Sequence, residues 1–167
     1  MSIIRQLLTV VMAGMVFFSV AVAEAKGPKG NIVEECLAIE AKAERDGTAC
    51  IGRLADACLE KPLGTHGQVK CIRRELVLWD KILNREYLIL RTALDDEQKA
   101  KLKEAQRTWI RLRDQDCYLP HVFYRGTMAQ PIGAYCSMKR TAQRALFLRK
   151  WRENKGGFSM RMKRSEK

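Results

Sequence analysis

One short stretch, residues 104–117, combines side chains that seldom share one helical face. Gln106, Trp109, Arg113 and Cys117 follow one another at spacings of three, four and four, so a helix would align them. Trp and Cys are typical core residues, whereas a core accepts Gln and Arg only with hydrogen-bond partners. The face therefore predicts a site where polar groups meet a hydrophobic seam.

Two interpretations of this face stay open. In the first, Arg113 lies at the edge of the seam, with its stem on Trp109 and its guanidinium in water. In the second, Gln106 and Arg113 form a buried polar network with Asn84 or Asp80 of the preceding helix. Both interpretations are architectural, and neither is catalytic.

The groups that catalysis requires do not converge in the sequence. His66 lies in a predicted turn and His121 in a predicted loop, and neither has a spacing that implies a Ser or Cys nucleophile. The motifs G-x-S-x-G, H-E-x-x-H and the P-loop do not occur, and neither does C-x-x-C. We therefore predict no catalytic residue, no metal site and no cofactor.

The cysteines predict disulfides rather than redox or metal chemistry. An even number behind a secretory signal is typical of a disulfide framework, although six cysteines allow fifteen connectivities. Pairing of neighbours is favoured because each such pair brackets a predicted turn, and each bridge would contribute about 2–4 kcal/mol. The predicted pairs are Cys36–Cys50, Cys58–Cys71 and Cys117–Cys136.

The first 23 residues are typical of a signal peptide. Arg5 precedes a long apolar run, and small residues allow cleavage after Ala23 or Ala25. The apolar run is nearly long enough to span a membrane, so an uncleaved N-terminal anchor is the alternative. We predict a periplasmic or secreted protein with a flexible leader at 24–31.

The clearest periodic signal predicts a long helix over Gln68–Ala93, preceded by capping-box spacing from Thr65 to Gln68. A second capping box at Asp95 predicts another helix that ends at Cys117, before Pro120. The connection is short, so the two helices should form an antiparallel hairpin. The stripe of the first helix is Ile72, Leu76, Trp79, Leu83, Tyr87, Leu90 and Leu94; the seam of the second is Leu102, Ala105, Trp109 and Leu112.

Shorter elements flank this hairpin. A helix over residues 32–45 is predicted to bury Ile32, Cys36, Ile39 and Ala43, and residues 49–59 could form a second short helix. Residues 118–133 are predicted to be an irregular loop, followed by a helix over residues 134–151. We place the domain at 32–152 and a basic, disordered tail at 153–167.

The formal charge of +12 is concentrated at the C-terminal end. Residues 139–167 hold eleven Lys and Arg against two acidic residues, whereas residues 24–138 have a net charge of only +2. The basic end is either a solvated surface or a site for anionic lipid or lipopolysaccharide. Nucleic acid is disfavoured because the signal peptide directs the chain away from it and no face of mixed aromatic and basic residues is evident. The helical candidates for partner binding are Arg140, Arg144, Lys150 and Arg152.

The predicted loop offers a second candidate surface. If Cys117 and Cys136 pair, their bridge closes the loop at its base and holds its side chains on a defined surface. The loop contains few charges. Its candidates for partner binding are Tyr118, His121, Phe123 and Tyr124.

Three segments resemble the LprI-type family of lysozyme-inhibitor-like proteins: WDKILNREY, LKEAQRTWIRLRDQDC and AYCSMKRTAQRALFL. The resemblance extends from about Cys36 to Leu148. It implies a small, exported, disulfide-bonded helical domain that binds and inhibits lysozyme. The residues that mark the structural motif are Trp79, Asn84, Tyr87, Gln106, Trp109 and Arg113.

Together these observations predict an all-α fold, a disulfide-stapled helical bundle built on a long antiparallel hairpin. We predict an exported, non-enzymatic binding protein whose partner is lysozyme or another envelope protein. The alternative is an envelope-associated protein that binds anionic lipid or lipopolysaccharide through its basic C-terminal helix and tail. Animal lysozymes are basic, so this chain would dock through a surface with little charge of its own.

Overall fold

The computed structural model describes the backbone of residues 31–165 and the side chains of residues 31–154. This part of the chain contains five α-helices, one 3₁₀ turn and no strand. None of its helices combines the length and apolar character needed to cross a membrane. The predicted signal peptide and nearly all of the predicted leader lie outside the described residues. The elements are α1 (Ile32–Lys42), the 3₁₀ turn (Thr48–Cys50), α2 (Arg53–Leu59), α3 (Thr65–Thr92), α4 (Asp96–Phe123) and α5 (Ala129–Ser165).

The bundle consists of the three long helices, with α5 packed against both α3 and α4. Helices α3 and α5 run in the same direction, because Thr65 at the start of α3 hydrogen bonds to Thr127 just before α5 and their later turns meet at the Glu86–Arg152 ion pair. Helix α4 runs in the opposite direction, because Cys117 near its end is bonded to Cys136 near the start of α5. Residues 93–95 join α3 to α4, which run antiparallel as predicted but pack mainly against α5 and not against each other. The predicted all-α, disulfide-stapled bundle is therefore confirmed, while the limits at 32–152 and 153–167 stay predictions.

The predicted stripe of α3 supplies one wall of the hydrophobic core. Ile72, Trp79, Leu83 and Leu90 are buried, and the remaining stripe residues are partly buried against them. Helix α5 supplies the facing wall, and its small residues allow it to pack closely against α3. The buried side chains of α5 include Met138, Ala142, Ala145 and Leu148.

A fully buried carboxylate, Glu75, connects this core to α2. One oxygen accepts hydrogen bonds from the Gly52 backbone N–H at 2.7 Å and from Trp79 Nε1 at 2.8 Å. The other accepts from the N–H groups of Leu54 at 2.9 Å and Ala55 at 2.8 Å. Three of these donors belong to the N-terminus of α2, where N–H groups have no intrahelical partner. Glu75 therefore caps α2 from α3 and meets the partial positive charge of that helix end.

The three bridges have the neighbour pairing that the sequence predicts, Cys36–Cys50, Cys58–Cys71 and Cys117–Cys136. The first ties α1 to the 3₁₀ turn and the second ties α2 to α3. The third joins α4 to α5. Each helix is thus linked covalently to a neighbouring element, which restricts the unfolded chain.

The buried face of α1 differs from the prediction. Ile32 and Ile39 are exposed, whereas Val33, Leu37 and Glu40 are buried beside Cys36. Hydrophobic spacing predicts the wrong buried face for α1, because a prediction from apolar residues alone does not place a charged residue such as Glu40 in the core. Arg45 makes that position possible, since its Nε and Nη2 donate to the Glu40 carboxylate at 2.9 and 2.6 Å. These hydrogen bonds lower the pKa of Glu40.

One of the two predicted capping boxes is present. Asp95 accepts from the Gln98 backbone N–H at 2.8 Å, and the Gln98 side chain returns to the Asp95 backbone. The box predicted for Thr65 is wrong, because the helix begins at Thr65 and Gly64 is its N-cap. The Gln68 side chain donates instead to the carbonyl of Leu63 at 3.1 Å.

The predicted loop at 118–133 is largely wrong. Helix α4 continues through Pro120 to Phe123, and α5 begins at Ala129, so only residues 124–128 are a turn. Pro120 has no N–H to donate to the Asp116 carbonyl, yet the packing of α4 on α5 sustains the helix. Gly133 belongs to that packing, since a Cβ there would lie 2.8 Å from the Cys117 carbonyl oxygen. Gly133 therefore allows α4 and α5 to approach each other closely, and it does not end a helix.

We expect Glu75→Gln to lower the free energy of unfolding by about 2–4 kcal/mol, because an amide NH₂ group would face backbone donors that need an acceptor. Urea denaturation followed by circular dichroism measures this loss. Glu60→Gln is the matched control, since Glu60 is exposed and the substitution removes the same charge. An equal loss of stability in the two variants would contradict the role of Glu75.

Candidate functional site

The mixed face of α4 is directed toward α5. Gln106, Trp109 and Arg113 are partly buried and Cys117 is buried, so the polar members belong to the seam. The predicted seam is wrong at Ala105 and Leu112, which are exposed. Polar groups replace apolar ones at the seam because α5 offers them hydrogen-bond partners.

The partners of this face come from α5. Arg113 Nη1 donates to the buried Thr141 hydroxyl at 3.2 Å, while its guanidinium lies 5.1 Å from the centre of the Trp109 ring. Gln106 Oε1 accepts from Arg144 Nε at 3.0 Å. A polar network therefore exists, but the predicted partners on the preceding helix are wrong.

The predicted partners and the other motif residues of α3 serve different purposes. Asn84 and Asp80 are exposed and hydrogen bond to each other at 3.2 Å. Trp79 is fully buried on Glu75, and Tyr87 packs at the edge of the core. The motif shared by α3 and α4 thus builds the bundle.

The end of α4 and the start of α5 expose a group of apolar side chains that we call the aromatic tip. Phe123 is the most exposed of them at 73%, and Tyr118 at 63% stacks on His121 with ring centroids 5.3 Å apart. A protein surface seldom exposes so many large apolar groups together unless they bind a partner. The aromatic tip consists of Tyr118, Leu119, His121, Val122, Phe123, Tyr124, Met128 and Ile132.

The aromatic tip has a rigid base. The Cys117–Cys136 bridge joins α4 to α5 directly beneath it, and the Arg140–Asp116 ion pair at 2.9 Å joins them one turn further. The four candidates of the predicted loop, Tyr118 to Tyr124, therefore belong mainly to a helix end. A preorganised surface of this kind loses less conformational entropy on binding than a loop would.

The basic candidates of α5 are not one continuous surface. Arg140 pairs with Asp116, and Arg152 donates to the buried carboxylate of Glu86 at 2.7 Å. Of the four candidates, Arg144 is partly buried, and Lys150 is the one that is exposed without an ion pair to a described side chain. Arg140 and Lys150 are exposed, whereas Arg144 and Arg152 are partly buried, and acidic side chains of α4 and α3 pair with Arg140 and Arg152. Their role in partner binding stays a prediction.

No catalytic arrangement forms among the described side chains. His121 stacks on Tyr118, His66 is exposed at the start of α3, and all six cysteines are in disulfides. In residues 31–154 no group of three or more His, Cys, Asp or Glu side chains could hold a metal ion.

Sequence patterns did not predict the buried carboxylates Glu75 and Glu86. Each lies three or four residues from two buried apolar residues of the α3 stripe, so their inward position could be recognised from spacing. Glu75 lies between Ile72 and Trp79, and Glu86 between Leu83 and Leu90. Their partners on other elements could not be recognised, because the backbone donors of α2 and Arg152 of α5 lie 20 to 66 positions away in the chain.

Helices, bridges and surface together define a small disulfide-bonded helical domain with an exposed apolar tip. The family model described as "Lysozyme inhibitor LprI" matches residues 58–148, which is more than half of the chain. The chain belongs to the LprI family. The matched segment starts at the Cys58–Cys71 bridge and includes the aromatic tip, whereas α1 and the Cys36–Cys50 bridge precede it. No characterised protein and no solved structure shows a significant match.

We expect Trp109→Ala to lower the free energy of unfolding by about 2–3 kcal/mol, because it leaves a cavity between α4 and α5 and removes the ring beneath Arg113. Thermal denaturation measures this change. Leu112→Ala, on the exposed side of the same helix, should stay within about 0.5 kcal/mol of the wild type. Loss of partner binding from a stably folded Trp109→Ala variant would contradict this structural role.

Proposed function

We propose that this protein is an exported, non-enzymatic binding protein that inhibits lysozyme, and that the aromatic tip contacts the enzyme. Family membership supports the choice of partner. Three disulfides support an oxidising compartment, which is the periplasm or the exterior of the cell. The observation that carries the proposal is the aromatic tip, an apolar surface held on two helices that are bonded at its base.

The chemistry of the aromatic tip is suited to the substrate cleft of a glycosidase. Such a cleft holds a pair of carboxyl groups on either side of the bond it cleaves. His121 lies within the aromatic tip and Arg125 in the turn that follows α4, so both could approach these carboxyl groups. Phe123 and Tyr124 would contribute apolar area, which aromatic side chains supply at low entropic cost.

The distribution of charge permits this docking despite long-range repulsion. Animal lysozymes are basic, and most of the net positive charge of this chain follows residue 138. Sixteen residues of helix separate Cys136 from Arg152, a rise of about 24 Å, and Arg140, which lies nearer the tip, is paired with Asp116. A distance of about 24 Å exceeds the Debye length of about 8 Å at physiological ionic strength, so repulsion from the charges around Arg152 is largely screened at the tip.

The competing hypothesis of attachment to anionic lipid or lipopolysaccharide through the basic end has less support. Arg140 and Arg152 are paired with acidic residues of the bundle, so the described part of α5 does not present a continuous cationic surface to a lipid bilayer. The side chains beyond residue 154 lie outside the described part of the chain.

The mature chain from Glu24 should inhibit lysozyme in a turbidity assay on cell walls. Phe123→Ser combined with Tyr124→Ser should raise the concentration for half inhibition about 10- to 100-fold, because central aromatic anchors carry most of the energy of an interface. Leu88→Ser is the matched control, since Leu88 is 58% exposed on α3 and far from the tip along the chain. Absence of inhibition by the wild type at stoichiometric excess would exclude lysozyme as the partner.

The rate of association with a basic lysozyme should rise when NaCl increases from 20 to 200 mM, since salt screens repulsion between two positively charged proteins. Stopped-flow fluorescence measures this rate. A rate that falls with salt would mean that attraction between opposite charges guides docking, contrary to the proposed apolar contact.

A further inference from the structure

An open groove of about 500 Å³ lies at the opposite end of the bundle from the aromatic tip, between the end of α3, the start of α4 and the later part of α5. Leu90, Leu102 and Leu148 form its floor. Phe147 and Trp151 form one rim, and about half of each side chain is exposed. Twelve residues of α5 separate Cys136 from Leu148, so the groove lies about 18 Å from the base of the tip.

The charges at this groove are of one sign. Lys101 and Arg144 line it, and none of the described lining residues is acidic. Lys101 extends into solvent and lies 3.5 Å from the exposed Glu104 carboxylate. Arg144 is held more rigidly, with its guanidinium 5.6 Å from the centre of the Trp109 ring and 5.2 Å from that of Phe147.

Arg144 differs from the other arginines of similar burial. Four arginines among residues 31–154 are partly buried, and three of them pair with a carboxylate: Arg113 with Asp114, Arg149 with Glu153, and Arg152 with Glu86. The hydrogen bond of Arg144 goes instead to the neutral amide of Gln106. Burial lowers the pKa of its guanidinium, which shows that desolvation of the charge is not offset by a counter-ion. An anion bound at this point would supply the missing partner.

We propose that this groove binds a single-chain amphiphile with an anionic headgroup, whose acyl chain lies on the leucine floor and whose carboxylate or phosphate pairs with Arg144. The volume is within the range of small-molecule sites, about 300–1,000 Å³, and suits one acyl chain better than a two-chain lipid. The two rings on either side of Arg144 hold the guanidinium at the lip, so the headgroup meets a positioned cation. Phe147 and Trp151 cover part of the acyl chain, which explains why two large aromatic side chains are exposed at this end.

The site is independent of the proposed lysozyme contact, because it uses other residues about 18 Å further along α5. A protein with both surfaces could bind an envelope amphiphile and a protein partner at once. The chemistry fits a fatty acid or a lysophospholipid equally, and both present one acyl chain with an anionic group.

The test uses the mature full-length chain and three probes with twelve-carbon chains below their micellar concentrations. These probes are dodecanoate, lauroyl lysophosphatidylglycerol and the uncharged monolaurin, and titration calorimetry with tryptophan fluorescence follows binding. We expect at least one anionic probe to bind about tenfold or more tightly than monolaurin, since a charge-assisted hydrogen bond contributes more than a neutral one. Binding of dodecanoate alone would assign a carboxylate headgroup, and binding of the lysophospholipid alone a phosphate.

Variants separate the headgroup contact from the acyl contact. Arg144→Gln should abolish the preference for the anionic probe, whereas Lys150→Gln, an exposed cation on the same helix that does not line the groove, should retain it. Ala105→Trp should block all three probes, because Ala105 lines the groove yet is exposed enough to be replaced without disturbing the core. Inhibition of lysozyme by Ala105→Trp should match the wild type, so failure of one function is distinguishable from failure of the other.

Three results would overturn the proposal. The first is equal affinity for monolaurin and both anionic probes, and the second is unchanged anion preference in a folded Arg144→Gln variant. The third is unchanged binding by Ala105→Trp, which remains informative even if Arg144→Gln does not fold. An acidic amphipathic peptide that binds where the amphiphiles do not would assign the groove to a protein partner instead.

Discussion

The carboxylate of Glu75 is the group on which the N-terminal half of this domain depends. It is buried completely, and its two oxygens accept four hydrogen bonds, three from the N-terminus of α2 and one from Trp79. A seven-residue helix such as α2 is too short to be stable by itself, and its free N–H groups would be costly to bury. Glu75 satisfies them from α3, while the Cys58–Cys71 bridge fixes the other end of α2 to the same helix. The carboxylate and the bridge together fix α2 on α3, where Ala55 of α2 is buried in the core.

A different solution holds the other half of the bundle together. Helix α5 packs against α3 through small and apolar residues. Its contact with α4 combines the Trp109 ring of α4 with hydrogen bonds between polar side chains of the two helices. Arg113 bonds Thr141, Gln106 bonds Arg144, and the close contact at Gly133 brings the two backbones together beside the Cys117–Cys136 bridge. The mixed face of α4 therefore joins α4 to α5. Hydrogen bonds between specific positions fix the register of the two helices more narrowly than an apolar seam would.

Helix α5 also separates two exposed surfaces. Near its start the Cys117–Cys136 bridge supports the aromatic tip, and further along the same helix Arg144, Phe147 and Trp151 border the apolar groove. The tip has few charges, whereas the groove has cations and no acidic residue among those described. Membership of the LprI family fits the first surface, since a rigid apolar projection suits a protein partner. The second surface has the separate chemistry of an amphiphile site.

The sequence by itself determined the features that depend on local spacing. The α3 stripe, the Asp95 capping box and the neighbour pairing of cysteines all follow from residues within one helix or one turn. The motif that carries the family resemblance was equally visible, because its residues recur at helical intervals on α4. Proline and glycine predicted a loop between residues 118 and 133, and that prediction is largely wrong. The packing of α4 on α5 outweighs the local cost of Pro120, and it requires a residue without a side chain at Gly133.

Only the tertiary structure decided which polar groups meet. Glu75 reaches the backbone of Gly52 across 23 positions, and Arg152 reaches Glu86 across 66. No spacing rule connects residues so far apart, because their contact depends on how whole helices pack. Arg113 and Arg149 pair with carboxylates of their own helices, whereas helix packing pairs Arg152 with Glu86 and leaves Arg144 with a neutral amide beside an apolar groove. The sequence therefore specified the helices and their bridges. The assembly of the helices determined that Arg152 is neutralised within the fold and that the charge of Arg144 is left for a ligand.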